Sequence, residues 1–477
     1  MIGVIVRREL TDWLRDGRLR WLGAGCVALL LVVALVGWQS TLTQVEDRRA
    51  AVERETGNFL GQGAKNPHSA AHFGQYAFRP VLLPAAIDPG VSPWMGSMVW
   101  MEAHRRNLAE FRPAEDGAGQ RQSTGLSVAW VLQNVVPLLV IMLGFATVAG
   151  ERERGTLALL LAQGLRLRTL AFGKGVAVFA ATALLLLPVM LVILGLYLFT
   201  PTAVEAEGAA ARLGWMGLAH ALYLASFVGI AACVSLLARD ARSALFTLLL
   251  AWVVLVVLVP RLATDVAAVR HPIPAATEFW DAIKRGEGGA AQPGVRPEER
   301  AARLRESVAA ELLARYGVTK LEDLPVNFTA VYLQRLEDAD APVIDHVYGK
   351  LWSAQEQQRA VRSLAGLFSP TVSLRELSMA LAGTDPYALR HFGDAAEVHR
   401  RQLVAALNGT QARDGAGTPF YVAPADTWQR MPQFHYEPPA AADVLARHRV
   451  DLALLALWAL LPLVAAGVLA ARRRDAR

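Results

Sequence analysis

Six stretches of this sequence are too long and too apolar to sit in water: Trp21 to Trp38, Ser127 to Val148, Val176 to Phe199, Leu213 to Leu237, Ser243 to Val259 and Val450 to Ala471. A helix rises about 1.5 Å per residue and needs about 20 such residues to cross a hydrocarbon core roughly 30 Å thick, so each stretch is expected to be one membrane span. The residues between them carry most of the Pro, His and acidic side chains, and this mixture explains the overall figures of 54% hydrophobic and 19% charged residues. That balance excludes an ordinary soluble protein. Pro137, Pro188 and Pro462 fall inside spans, where each removes a backbone donor and predicts a kink. Trp21 and Trp38 bracket the first span in the manner of interfacial anchors. A cleaved signal peptide is the alternative for that span. Against it, Glu9, Asp12 and Asp16 are mixed with the preceding arginines and no small-residue cleavage site follows Trp38, so the span is expected to be retained.

Orientation follows from the short connections, because Lys and Arg close to span ends stay on the cytoplasmic side. Arg7, Arg8, Arg15, Arg18 and Arg20 precede the first span. Arg152, Arg154, Arg166, Arg168 and Lys174 lie between the second and third, and Arg239 and Arg242 join the fourth and fifth. Arg472, Arg473, Arg474 and Arg477 follow the last, whereas the loop Thr200 to Arg212 holds Glu205, Glu207 and a single arginine. The expectation is a protein of the bacterial inner membrane with both termini cytoplasmic and two large extracytoplasmic segments, 39–126 and 260–449. The formal charge of +6 is spent on this topology rather than on one basic face, so no nucleic-acid partner is expected. Cys26 and Cys233 both sit inside apolar runs, which argues against a disulfide framework.

The second outer segment is patterned for helices. Ala301, Leu304, Val308 and Leu312 recur at helical spacing within Pro297 to Tyr316, with Pro297 suited to a first helical position. Further helices are expected at Val343 to Phe368, Ser373 to Ala382 and Pro386 to Leu407, the last closed by Asn408 and Gly409. Gly286 to Gly294 and Thr418 to Pro439 read as connectors. In the first outer segment, Pro80, Pro84, Pro89 and Pro93 forbid one continuous helix over Phe78 to Trp100. The fold class expected is therefore an all-α membrane protein with mostly helical outer domains.

Two cytoplasmic features carry more information. Before the first span, Ile2, Val6, Leu10 and Trp13 form an apolar stripe on a helix within residues 1–20, broken at Asp16 and Gly17. After the second span, in the loop 149–175, comes GERERGTLALLLAQG, where Gly155 ends one helix, Thr156 can cap the next and Gly164 stops it after about two turns. Together these resemble the permease subunits of type-two ATP-binding-cassette exporters, with an N-terminal elbow helix, six spans and a coupling helix between the second and third. Glu151, Arg152, Glu153, Arg154, Gly155 and Thr156 match the acidic-basic Gly-Thr signature of that family, and Ser369 to Phe392 resembles a bacterial subgroup with enlarged outer loops. The likeness covers the membrane core, and the two enlarged outer segments depart from the commoner members. It implies that Glu151 to Leu157, with Leu159 and Leu160, contact a separate ATPase subunit that carries the ATP and Mg, and that a second permease copy or close relative completes the complex in the lipid bilayer. A solvated charged loop with an ordinary capped helix is the competing reading of the signature.

No phosphate-cradling loop is present, since Gly173, Lys174 and Gly175 lack both the earlier glycine and the following hydroxyl. No nucleophile elbow or His-Glu-x-x-His helix occurs either, so no enzyme activity and no cofactor are expected of this chain. Met95, Met98, Met101 and His104 recur every three residues and are weak candidates for copper(I), against the plainer reading that methionines fill an apolar face beside Trp94 and Trp100. His68 and His72 are one helical turn apart, yet no third ligand stands out, and they read as surface histidines. Asp338 and Asp340 resemble the start of a calcium loop, but Val343 stands where glycine is needed. His220 and Asp451 fall near span ends, where headgroup water is expected to reach them. A membrane-anchored scaffold that binds an envelope partner is the alternative function; a secondary transporter would need intramembrane charge or an internal repeat.

Overall fold

The computed structural model describes residues 1–110, 126–200, 208–288, 297–418 and 420–472. The acidic loop with Glu205 and Glu207, most of the Gly286 to Gly294 connector and residues 473–477 of the tail lie outside these. Six helices are long and apolar enough to cross a membrane, and the chain is a predominantly α-helical, multi-pass membrane protein.

Helix α1 (Ile2–Arg15) turns Trp13 into the core, with Val6 and Leu10 packed partly against it. The chain then breaks at Gly17, whose φ of 85° only glycine adopts without strain. Helix α2 (Gly23–Leu60) forms the first span, but its 38 residues make it about 57 Å long, nearly twice a bilayer core. Its second half therefore projects beyond the membrane and supports the first outer segment. There, α3 (Pro67–Phe73) is followed by an antiparallel sheet of β1 (Gln75–Phe78), β2 (Met98–Glu102) and β3 (Arg105–Arg106), with Phe78 opposite Met98 and Glu102 opposite Arg105. Glu55 on α2 accepts from the Tyr76 N–H at 3.0 Å, and Arg48 donates to the Phe78 carbonyl at 3.3 Å. The sheet is a small exception within a predominantly helical chain: the prolines flagged the absence of a helix here, and short strands pair on either side of them.

The second span is broken before Pro137 into α4 (Val128–Asn134) and α5 (Val136–Gly144). After a turn come α6 (Ala149–Glu153) and α7 (Thr156–Ala162), then the third span, α8 (Leu167–Phe199). Helix α9 (Ala209–Leu237) is the fourth. The fifth runs from α10 (Ala241–Trp252) through a π-helical stretch, Val253–Leu258, into α11 (Val259–Arg270). It passes the expected boundary at Val259 because Pro260 sits in the first turn of α11, where no N–H is required.

The second and fourth spans are the most enclosed, and the others turn Leu184, Met190, Phe246, Leu250, Leu460 and Val464 outward, the apolar exterior that lipid covers. Trp38 is not an interfacial anchor. It is buried, and its indole N–H donates to Thr200 at 3.2 Å.

Outside the spans, α12 (Ala276–Arg285) and α13 (Pro297–Tyr316) pack on α14 (Phe328–Ala365), which runs antiparallel to α16 (Pro386–Asp414). Helix α14 begins fifteen residues before the expected Val343 and carries Pro342 in its interior, while α16 continues past Asn408 and Gly409. In both cases packing overrides the local breaker: Asn408, instead of capping, donates to Gln334 on α14 at 3.1 Å. Between them, α15 (Pro370–Ala382) sinks Leu374, Leu377 and Leu381 into the core of the membrane bundle. Ser369 hydrogen-bonds the Leu255 carbonyl of the π-helical stretch, and Arg375 donates to Asn134 at 3.2 Å, so α15 plugs that end of the bundle. Helix α17 (Ala441–Arg447) leads into the sixth span, α18 (Arg449–Arg472). Asp451 is 0% exposed rather than wetted by headgroups, and its carboxylate meets the His448 ring at 2.9 Å. His220 is likewise buried, with Nδ1 2.8 Å from the Met216 carbonyl.

Candidate functional site

At the end of the bundle opposite the outer segments, the residues of α6, the Gly155 turn and α7 are wired into four other elements. Lys174, on the first turns of α8, is buried with Nζ 2.8 Å from Glu151 and 2.9 Å from Glu9 of α1. Two carboxylates on either side of one ammonium form a charge-assisted bridge that joins α1, the segment after the second span and the third span. Thr156 donates to both the carbonyl and the carboxylate of Glu151. The N-cap of α7 is Gly155, not Thr156, which instead closes the turn from inside.

The neighbouring charges serve helix ends. Arg152 donates to the Leu236 carbonyl at 3.0 Å and also to Ala238, at the end of α9. Glu153 accepts from the Ala241 N–H at 3.0 Å at the start of α10, where the helix dipole favours an anion. Ser235 accepts from the Val148 and Ala149 N–H groups at 2.9 and 3.0 Å and so seats α6. A movement of α6 and α7 is therefore felt by α1 and by the third, fourth and fifth spans together.

The structure divides the expected contact residues in two. Glu151 and Leu157 are 3% and 5% exposed, and Leu157 packs with Leu167, Leu170, Leu236 and Ala470 of its own chain. These two hold the short helix in place and present little surface of their own. Glu153, Arg154, Gly155 and Leu159 face outward, with Leu159 60% exposed, while Arg152, Thr156 and Leu160 are half-buried. Glu9 and Lys174 are not among the expected site residues, because Lys174 reads as a topology charge and Glu9 only as a mark against a cleaved signal peptide; the available signal is an ion on an otherwise apolar helical face.

Gly155 and Gly164 bound α7 with φ of 74° and 83°. A Cβ at Gly155 would meet nothing within 4 Å, so conformation alone is tested by substitution there. Gly155→Ala is expected to cost about 1–2 kcal/mol through left-handed strain, read as a lowered melting temperature in detergent, with Gly155→Asn milder than Gly155→Ala.

At the opposite end, the methionine set is not assembled. Met98 and Met101 lie on β2, where a separation of three residues sends side chains to opposite faces, and Met101 is buried against Phe392 and Ala396. His104 instead follows β2 in a tight turn and meets His68 and His72 of α3. Burial, then His104 and His72, pushes the His68 imidazole down to about 4. Glu337, on α14, is half of a second charge cluster: burial opposes its ionisation, but hydrogen bonds from His104 and the Arg400 charge hold it down to about 2. Asp338 and Asp340 lie within α14 and do not form a loop.

A family model described as a domain of unknown function, DUF3526, matches residues 276–437, which is the greater part of the second outer segment. No curated protein matches the chain.

Proposed function

We propose that this chain is the permease subunit of an ATP-binding-cassette exporter, paired with a second permease and driven by a separate ATPase. The observation that carries this reading is the buried Glu9–Lys174–Glu151 bridge beneath a two-turn helix with an exposed leucine. It is the construction required of a lever: a small outward face for a partner, and rigid links from that face to several spans. The bias of Lys and Arg towards this end of the spans supports a cytoplasmic position for the face, where ATP is available. An ATPase that binds two permease conformations with different affinity shifts their populations, and that difference is the work available for transport. The outer segments then receive, gate or hand on the substrate.

Leu159 and Arg154 are the contact residues in this reading, with Glu151 and Leu157 behind them. Leu159→Asp combined with Arg154→Gln keeps Lys174 on both carboxylates without adding a like charge beside Glu151, and is expected to weaken capture of the ATPase at least about tenfold, the loss of roughly 1.4 kcal/mol at one interface anchor. The measurement is affinity purification from the native membrane followed by mass spectrometry and an ATPase assay. Absence of any nucleotide-binding subunit with the unaltered chain sinks the permease reading and favours a scaffold. Undiminished capture by the double variant moves the contact elsewhere.

A further inference from the structure

Three imidazoles from two separate elements converge at the far end of the first outer segment. His68 and His72 are one turn apart on α3, whose start is fixed by Asn66 accepting from the Ser69 N–H at 3.1 Å. The chain returns through β2, and the Ala103 N–H donates to the Ala71 carbonyl at 3.1 Å, setting the following residue beside the helix. That residue, His104, is the only non-glycine with positive φ among the described residues, at 69°. Such a conformation is costly outside glycine and persists only where surrounding contacts demand it. The rings form a nearly equilateral triangle, with centroids 4.7, 5.2 and 5.2 Å apart, and their ligand-capable nitrogens all lie within 4.8 Å of one another.

Packing of an apolar core does not explain this arrangement. Three imidazoles crowd one another without a carboxylate between them, and His68 Nδ1 is sealed from water with no hydrogen-bond partner. The surroundings are those of a ligand set instead. Glu337 accepts from the His104 backbone N–H and lies 3.1 Å from its Nδ1, which has no aligned hydrogen bond in this structure; a small turn of the ring would pair a proton there with the carboxylate and leave Nε2 as the lone-pair nitrogen. Glu337 is itself fixed by Arg400 at 3.0 Å. A carboxylate behind a metal-ligating histidine sets its tautomer and raises its basicity. Gln411 accepts from the His68 N–H at 3.3 Å, so the region matched by the unknown-function domain supplies the outer shell for ligands that come from the other outer segment.

We propose that His68, His72 and His104 bind a divalent transition-metal ion of the zinc class in the outer part of this protein. Three neutral nitrogen ligands with no thiolate suit zinc, cobalt or nickel, and bonds of about 2.0–2.1 Å need only a modest inward closure of the three rings. His72 is exposed, which leaves the fourth position open to water or to a side chain of a partner. The ion ties α3 to the β2 turn and, through Glu337, to α14. It does not depend on the permease reading and would stand if that reading failed.

The test uses the full chain, purified in detergent without a polyhistidine tag and stripped with a chelator. Titration with Co2+ is expected to give the visible bands of a four- or five-coordinate ion at one equivalent, displaced by Zn2+. His72→Ala removes an exposed side chain and leaves the fold intact; it is expected to weaken Co2+ at least about tenfold. Glu337→Gln is expected to weaken it about 10–100-fold while the bands persist. His435→Ala, at a histidine 80% exposed elsewhere on the surface, should change nothing. Failure of the unaltered chain to take up either ion, or equal uptake by His72→Ala, overturns the proposal.

Discussion

Replacing Lys174 with methionine will destabilise the folded chain by about 3–5 kcal/mol, because it strips the shared cation from two buried carboxylates. Glu9 and Glu151 both reach Nζ within 3 Å, at 2.9 and 2.8 Å, and neither side chain has solvent to fall back on, being 10% and 3% exposed. Arg154 stands 3.4 Å from Glu151 but is largely solvated and belongs to the outward face, so it compensates weakly. Loss of stability in detergent, followed as the temperature at which the monodisperse species disappears, is the direct measurement. The decisive comparison is the triple variant Glu9→Gln, Lys174→Met, Glu151→Gln, which removes both charges with the cation and should recover most of the loss. If Lys174→Met melts with the unaltered chain, the bridge is not formed, and the link it makes between α1 and the α6–α7 segment fails with it.

The spans were legible because a run of apolar residues long enough to cross a bilayer has few other fates. Helix α13 was legible to its ends because Pro297 and Gly317 punctuate it locally. The rest turned on contacts between residues distant in sequence. Gln39 to Leu60 extends the first span because the sheet and Trp428 pack on it, and that stretch holds no proline to end the helix. The expected start at Val343 fell fifteen residues late, since the halves of α14 on either side of Pro342 are both held by α16. The role of Lys174 required Glu9, more than one hundred and sixty residues away along the chain, and looked like one more positive charge by the membrane. His68 and His72 advertised a shared face, but the third ring arrives through a hairpin turn whose register nothing local encodes. In the segment that carries the GERERGT signature, only the burial of Glu151 and Leu157 distinguishes the residues that hold it from those that face outward.

A comparable loss is expected in the outer part of the molecule when Arg400 is replaced by methionine. Its guanidinium is 3% exposed and grips Glu397 as a fork, at 2.7 and 3.0 Å, while also reaching Glu337 at 3.0 Å and the Glu102 carbonyl at 3.1 Å. Glu397 keeps Arg401 at 2.7 Å, so Glu337 is the group left most nearly alone. Orphaning it is expected to cost about 3–5 kcal/mol, confined to α14, α16 and the β2 turn, since the spans share none of these contacts. Arg400→Lys should recover only part, because an ammonium cannot reproduce the fork. The acid response separates this account from a general packing defect. Glu337 is held from the ordinary value of 4.5 down to about 2, so its contribution is complete above about pH 4.5 and is lost as the pH falls towards 2. With Arg400 gone, the folded-state value rises, part of that contribution is already missing at neutral pH, and the remaining loss on acidification is shallower. Limited proteolysis of the outer segments from pH 7 to pH 3 reads both effects. A variant that is weakened at neutral pH but keeps the full acid slope would show that Arg400 acts by packing and that His104 alone holds Glu337 ionised.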